Sequence, residues 1–201
     1  MYDDEFELTF DLSDEDKASR APEPEQEPVQ EAAPEPAAET EPPVEAVPEP
    51  AVPAANGRCV LISGGDRGIG AAAARAFWQA GYRVAVLYHT HAEAAAALEK
   101  ALPGLLAVQC DVASRASCEV AFHTVEQAVG HVDVLVSNAG IAQQKLFTDI
   151  TPEEWQHMLD VNLSGAFHLC QLALPGMIRR KAGRILTVSS MWGQTGGSCE
   201  V

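Results

Sequence analysis

Cys59-Val-Leu-Ile-Ser-Gly-Gly-Asp-Arg-Gly-Ile-Gly70 is the stretch that decides the fold: a short apolar strand ending at Ser63, then a glycine turn that opens a helix. A turn of this kind brings a backbone close to a diphosphate. It also aims the helix N-terminus, with roughly half a positive charge, at that group. The spacing is Gly64-x-x-x-Gly68-x-Gly70 rather than the G-x-G-x-x-G of most dinucleotide folds. Gly64, Gly65, Asp66, Arg67, Gly68, Ile69 and Gly70 are therefore the first candidates for holding a nucleotide.

Downstream, apolar runs alternate with helical patterns, which argues for βαβ units and a parallel sheet. Strands are predicted over Arg58–Ser63, Tyr82–Tyr88, Leu105–Cys110, Val132–Val136 and Arg184–Ser189. Helices are predicted over Gly68–Ala80, His91–Ala101, Ser114–Val129 and from Pro152 toward Arg180. Pro175-Gly176 is expected to bend or end the last one early. Thr151 as N-cap, Pro152 at the first helical position, and Glu153 and Glu154 in the first turn form a helix start. That role explains the paired glutamates without acid/base chemistry. The fold class is α/β, a Rossmann-type doubly wound parallel sheet with five strands present, whose ligand lies at the carboxyl ends of the strands.

Upstream, residues 1–57 hold 17 of the 29 acidic residues, 2 of the 13 basic ones and 10 of the 13 prolines. The net charge of −16 thus belongs mostly to this leader and says little about partners of residues 58–201. Its Pro/Glu/Ala composition cannot bury enough apolar surface to offset ordering entropy, so the domain division is a disordered acidic extension, 1–57, and a Rossmann domain, 58–201. As a flexible coil the segment from Ala21 to Ala55 would span about 40 Å, and more with charge repulsion. Near its start, Phe6, Leu8, Phe10 and Leu12 alternate with acidic or polar residues, either as a strand for a partner's sheet edge or as a solvated leader. No signal peptide or membrane span is visible, and a cytoplasmic location is expected. Cys59, Cys110, Cys118, Cys170 and Cys199 form no C-x-x-C pair and read as reduced, largely buried thiols. The six histidines lack ligand spacing, so no metal is expected.

Further matches accumulate behind the glycine turn. Asp111-Val112 follows the third strand; Ser137-Asn-Ala-Gly140 follows the fourth; Asn162 lies in Asp160-Val-Asn-Leu-Ser-Gly165; Ser189-Ser190 ends the fifth. Together with Ser63-Gly-Gly-Asp-Arg-Gly-Ile-Gly70 these resemble the short-chain dehydrogenase/reductase family, whose loop is usually written T-G-x-x-x-G-I-G and whose later element is N-N-A-G. The resemblance implies roles residue by residue. Asp111 and Val112 would sit against the adenine, the small Ala139 and Gly140 would allow close approach to the adenosine ribose, and Asn138, at the same cofactor site, would lock the sheet edge by hydrogen bonds. Asn162 would hold a water of the proton relay, and Ser190 would polarise the substrate carbonyl as a catalytic residue. Each residue also has an ordinary structural explanation when taken alone: Asp111 as a turn or cap, the serines as strand ends.

Cofactor choice follows from charge. NAD sites carry an acidic side chain at the end of the second strand for the ribose 2′-hydroxyl. Here Tyr88, His89 and Thr90 occupy that place, and Arg67 can pair with a 2′-phosphate. NADPH (NADP+) is the expected cofactor.

The family's proton donor lies in a Tyr-x-x-x-Lys motif about a dozen residues after the serine. None of Tyr2, Tyr82 and Tyr88 is followed by Lys four positions on. The resemblance thus reads as a copy truncated before that motif, and the 201-residue chain is expected to be inactive. The implied activity of the longer protein is a ketoreductase resembling 3-oxoacyl-[acyl-carrier-protein] reductases, acting on a small-molecule or carrier-bound carbonyl. Its implied assembly is a homodimer or homotetramer, with neither nucleic acid nor membrane as partner. Two alternatives stand beside it. One is reduction of 5-aminopentanone-modified translation elongation factor P, implied by the resemblance of Ser189-Ser-Met-Trp-Gly193 with Gly197-Ser-Cys-Glu-Val201 to a bacterial side branch of the family. The other is a non-catalytic NADPH-binding or scaffold module recruiting a partner through the acidic leader.

Overall fold

The structure, a computed structural model, describes residues 55–195. The predicted disorder of the acidic leader, the Phe6–Leu12 pattern and Cys199 fall outside these residues. Asn56 and Gly57, assigned to the leader by composition, are tied to the domain. The Asn56 N–H donates to Gly81 O at 2.9 Å, and Gly57 O accepts from Arg83 Nη2 at 3.0 Å.

Five strands form one parallel sheet: β1 (Cys59–Ser63), β2 (Arg83–Tyr88), β3 (Leu106–Gln109), β4 (Val134–Ser137) and β5 (Arg184–Thr187). Their order is β3-β2-β1-β4-β5, with Cys59 opposite Arg83, Val60 opposite Val134 and Val134 opposite Arg184. The order reverses between β2 and β4, on either side of β1, and that switch point opens a crevice at the carboxyl ends.

The helices α1 (Gly68–Gln79) and α2 (Ala92–Ala101) cover one face, and α3 (Arg115–Val129) and α5 (Gly165–Arg180) the other. β1 shows why its run is apolar throughout. Val60 and Ile62 pack with Ala74, Trp78 and Leu98 on one side, while Cys59 and Leu61 pack with Phe122, Val125 and Leu169 on the other. Burial holds the Cys59 thiol up at about 11, with its nearby carboxylates adding to the effect and Arg83 opposing it. Cys110 and Cys118 are also buried and Cys170 half-buried.

Pro175 does not stop its helix: α5 runs on to Arg180. An internal proline costs about 3 kcal/mol or more. The burial of Leu169, Ala173, Gly176 and Met177 against the sheet and α3 outweighs it. Ahead of α5, a single turn of 3₁₀ helix (Phe147–Asp149) leads to α4 (Pro152–Leu159), and a π-helical turn over Asp160–Ser164 joins α4 to α5. The start of α4 is a full capping box, with Glu154 N–H on Thr151 Oγ1 at 3.2 Å and Thr151 N–H on Glu154 Oε2 at 2.9 Å. Among the described residues no helix is long and apolar enough to cross a membrane. A last short helix, α6 (Trp192–Thr195), follows β5.

Candidate functional site

The turn after β1 is compressed against its own strand. Gly64 and Gly68 have φ of +60° and +53°, the left-handed region. A Cβ on Gly70 would lie 2.1 Å from Gly64 O, and one on Gly65 would lie 2.6 Å from Val86 Cβ. Only glycine closes this turn. Arg67 is the N-cap of α1 with extended backbone, yet its side chain caps nothing, and the first turn holds no acidic residue. Neither an Arg67 side-chain cap nor an acidic residue in the first turn thus serves the first amides of α1.

Two side chains anchor the turn to β4. Ser63 Oγ accepts the N–H of Asn138 and of Ala139, each at 3.0 Å, and Asn138 Nδ2 donates to Ser63 O and Gly64 O. On the far side of Gly140, Asn162 Oδ1 accepts the Ile141 N–H at 2.8 Å and its Nδ2 donates to Ile141 O at 3.0 Å. Asn162 sits in the π-helical turn, a local widening common at functional sites.

These elements border a cavity of about 510 Å³ over the carboxyl ends of the strands. The structure brings Gly64, Asp66, Arg67, Gly68, Ile69, Tyr88, His89, Thr90, Asp111, Val112, Asn138, Ala139 and Gly140 to its walls. Gly65 and Gly70 shape the turn from behind, and Asn162 holds the rim without lining the cavity. Ser190 lies beyond β5, exposed, its Oγ accepting the Trp192 N–H at 3.2 Å, and it is not part of the lining. Asp111 plays its turn role as well, since Oδ1 accepts the Ala113 N–H at 3.0 Å.

Leu87, His91, Cys110, Ile141, His157 and Val161 also line the cavity, and sequence reasoning did not single them out. Ile141 directly follows the Ser137–Gly140 element, and His157 and Val161 share a helix face four residues apart, so both had a faint signal. His91 had none. Cys110 reaches the cavity with its thiol held low by the neighbouring Cys118, whose sulfur lies 3.9 Å away; burial opposes the effect.

Residues 58–201 match the sequence model of the short chain dehydrogenase family. The chain belongs to that family. It is 40% identical over 139 residues to an acetoacetyl-CoA reductase of Shinella zoogloeoides, covering 69% of this chain and 57% of the relative. It is 40% identical over 144 residues to the 3-oxoacyl-[acyl-carrier-protein] reductase MabA of Mycobacterium avium, covering 70% and 53%. The solved structure of gox2181 aligns with a TM-score of 0.64 at 32% identity, covering 68% of this chain and 55% of that one. The chain spans a little over half the length of these two relatives.

Proposed function

We propose that this chain forms the nucleotide-binding part of an NADPH-dependent ketoreductase for 3-oxoacyl thioesters. One observation carries the reading: the glycine turn, the uncapped start of α1 and Arg67 face one cavity, while Tyr88, His89 and Thr90 at the end of β2 bring no carboxylate. The names of the two reductase relatives support the substrate class.

In this reading the amides of the turn hold the diphosphate and the Arg67 guanidinium pairs with the 2′-phosphate. Asp111 and Val112 take the adenine end, and Asn138, Ala139 and Gly140 border the ribose. Ser190 donates its hydroxyl proton in a hydrogen bond to the substrate carbonyl oxygen. Asn162 holds the Ile141 backbone at the cavity rim. When bound, the nicotinamide supplies the hydride. The 201 residues contain no Tyr-x-x-x-Lys, and the nascent alkoxide needs a proton from a donor other than the residues assigned here.

Association of copies through α5 is part of the proposal, supported by Leu163, Phe167, Leu174 and Ile178 exposed along that helix and the turn before it. The test of the cofactor reading is direct titration with NADPH and NADH by calorimetry. Arg67→Ala is expected to weaken NADPH about tenfold or more while moving NADH little. Tighter binding of NADH by the wild type, or binding of neither, overturns it.

A further inference from the structure

Asp66 is a residue of the cavity wall to which the nucleotide reading above gives no contact. Its side chain is only 6% exposed, and its Oδ2 is buried with no hydrogen-bond partner. The basic group nearest to it among the described residues is His91, whose Nδ1 stands 3.5 Å from Oδ2 and also faces Thr90 Oγ1 at 3.2 Å. Half of the His91 side chain is open to solvent. Burying a carboxylate oxygen without a donor is unfavourable, and native structures rarely keep one without a reason.

Position supplies the reason. Dinucleotide sites that select a free ribose place a carboxylate at the end of the second strand. This chain has none there, but the turn after β1 brings Asp66 to the same cavity that Tyr88, His89 and Thr90 line. Arg67, next to it in the chain, is exposed, whereas Asp66 is buried. Solvent and salt screen the guanidinium far more than the carboxylate.

We propose that Asp66 is a specificity-determining residue of the nucleotide site: it accepts a hydrogen bond from a hydroxyl of the adenosine ribose and opposes the 2′-phosphate that Arg67 attracts, so that the site takes NADH as well as NADPH. This rests on the nucleotide reading above and deepens it. The two neighbouring residues act in opposite senses, and the preference for NADPH is shallow.

Titrating the wild type, Asp66→Asn and Asp66→Ser with NADPH and NADH, by calorimetry or intrinsic fluorescence, tests this without any activity measurement. The wild type is expected to favour NADPH by less than about tenfold. Each variant is expected to tighten NADPH about tenfold and to weaken NADH about threefold. Circular dichroism shows which variants are folded. A wild-type preference above about tenfold overturns the proposal even if neither variant folds. A ratio that stays within about twofold of wild type in a folded variant also overturns it. Wild-type protein that binds neither nucleotide overturns the nucleotide site itself, whereas binding of both with an unmoved ratio sinks only the role of Asp66.

Discussion

Asn138 Nδ2 donates at 3.0 Å to Ser63 O and again to Gly64 O, while Ser63 Oγ receives the Asn138 N–H. One amide thus ties the end of β4 to the end of β1 beneath the glycine turn. Ser63 is fully buried there, so any carbonyl or hydroxyl left unpartnered would find no water.

Asn138→Ala is therefore expected to lower stability by about 2 kcal/mol, read as a shift of the urea midpoint at unchanged slope. Asn138→Asp should be worse, because a carboxylate has no donor for those two carbonyls. An unchanged midpoint in both variants would show that the clamp contributes nothing.

The end of α5 carries a residue in an unfavourable backbone region. Lys181 has φ 52° and ψ 29°, and the bonds Lys181 N–H to Ile178 O and Ala182 N–H to Met177 O make a Schellman close. Glycine adopts this conformation without a Cβ penalty, though it loses more entropy on folding. Lys181→Gly is expected to raise stability by up to about 1 kcal/mol, measured by thermal or urea denaturation.

Glu154 links the Thr151 cap to Lys145, whose Nζ lies 2.7 Å from Oε2. The Lys145 ammonium first, then the Thr151 N–H, hold its carboxyl below the ordinary carboxylate range. A carboxyl lowered by folding stabilises the native state above its unfolded value, and that contribution disappears as pH falls through the folded value. Melting temperatures of wild type and Glu154→Gln should differ at neutral pH and converge in acid below the carboxylate range. Thr151→Ala, which removes the hydroxyl acceptor, should cost about 1 kcal/mol even at the acidic end.

The element boundaries were largely legible. The run Cys59–Ser63 is buried on every residue, so its apolar character needed no partner to be recognised. Thr151-Pro152 with Glu154 announced a helix start through chemistry contained in four residues. Pro175 was the exception, because its penalty is local and the burial that overrides it comes from β4 and α3. The π-helical turn at Asp160–Ser164 had no local signal either, since Asn162 is held by the Ile141 backbone, 21 residues away.

Most of the cavity wall could likewise be named in advance, because glycines at fixed spacing and polar residues just after apolar runs mark strand ends. Ser190 could be named but was not placed there by the fold described here. Turn geometry, helix capping and apolar runs act over a few residues and are written into the chain locally. The β3-β2-β1-β4-β5 order, the reach of Asn138 across to Ser63, and the meeting of Asp66 with His91 were decided only when distant segments packed. Burial and charge proximity depend on which strands become neighbours, and no local pattern specifies that.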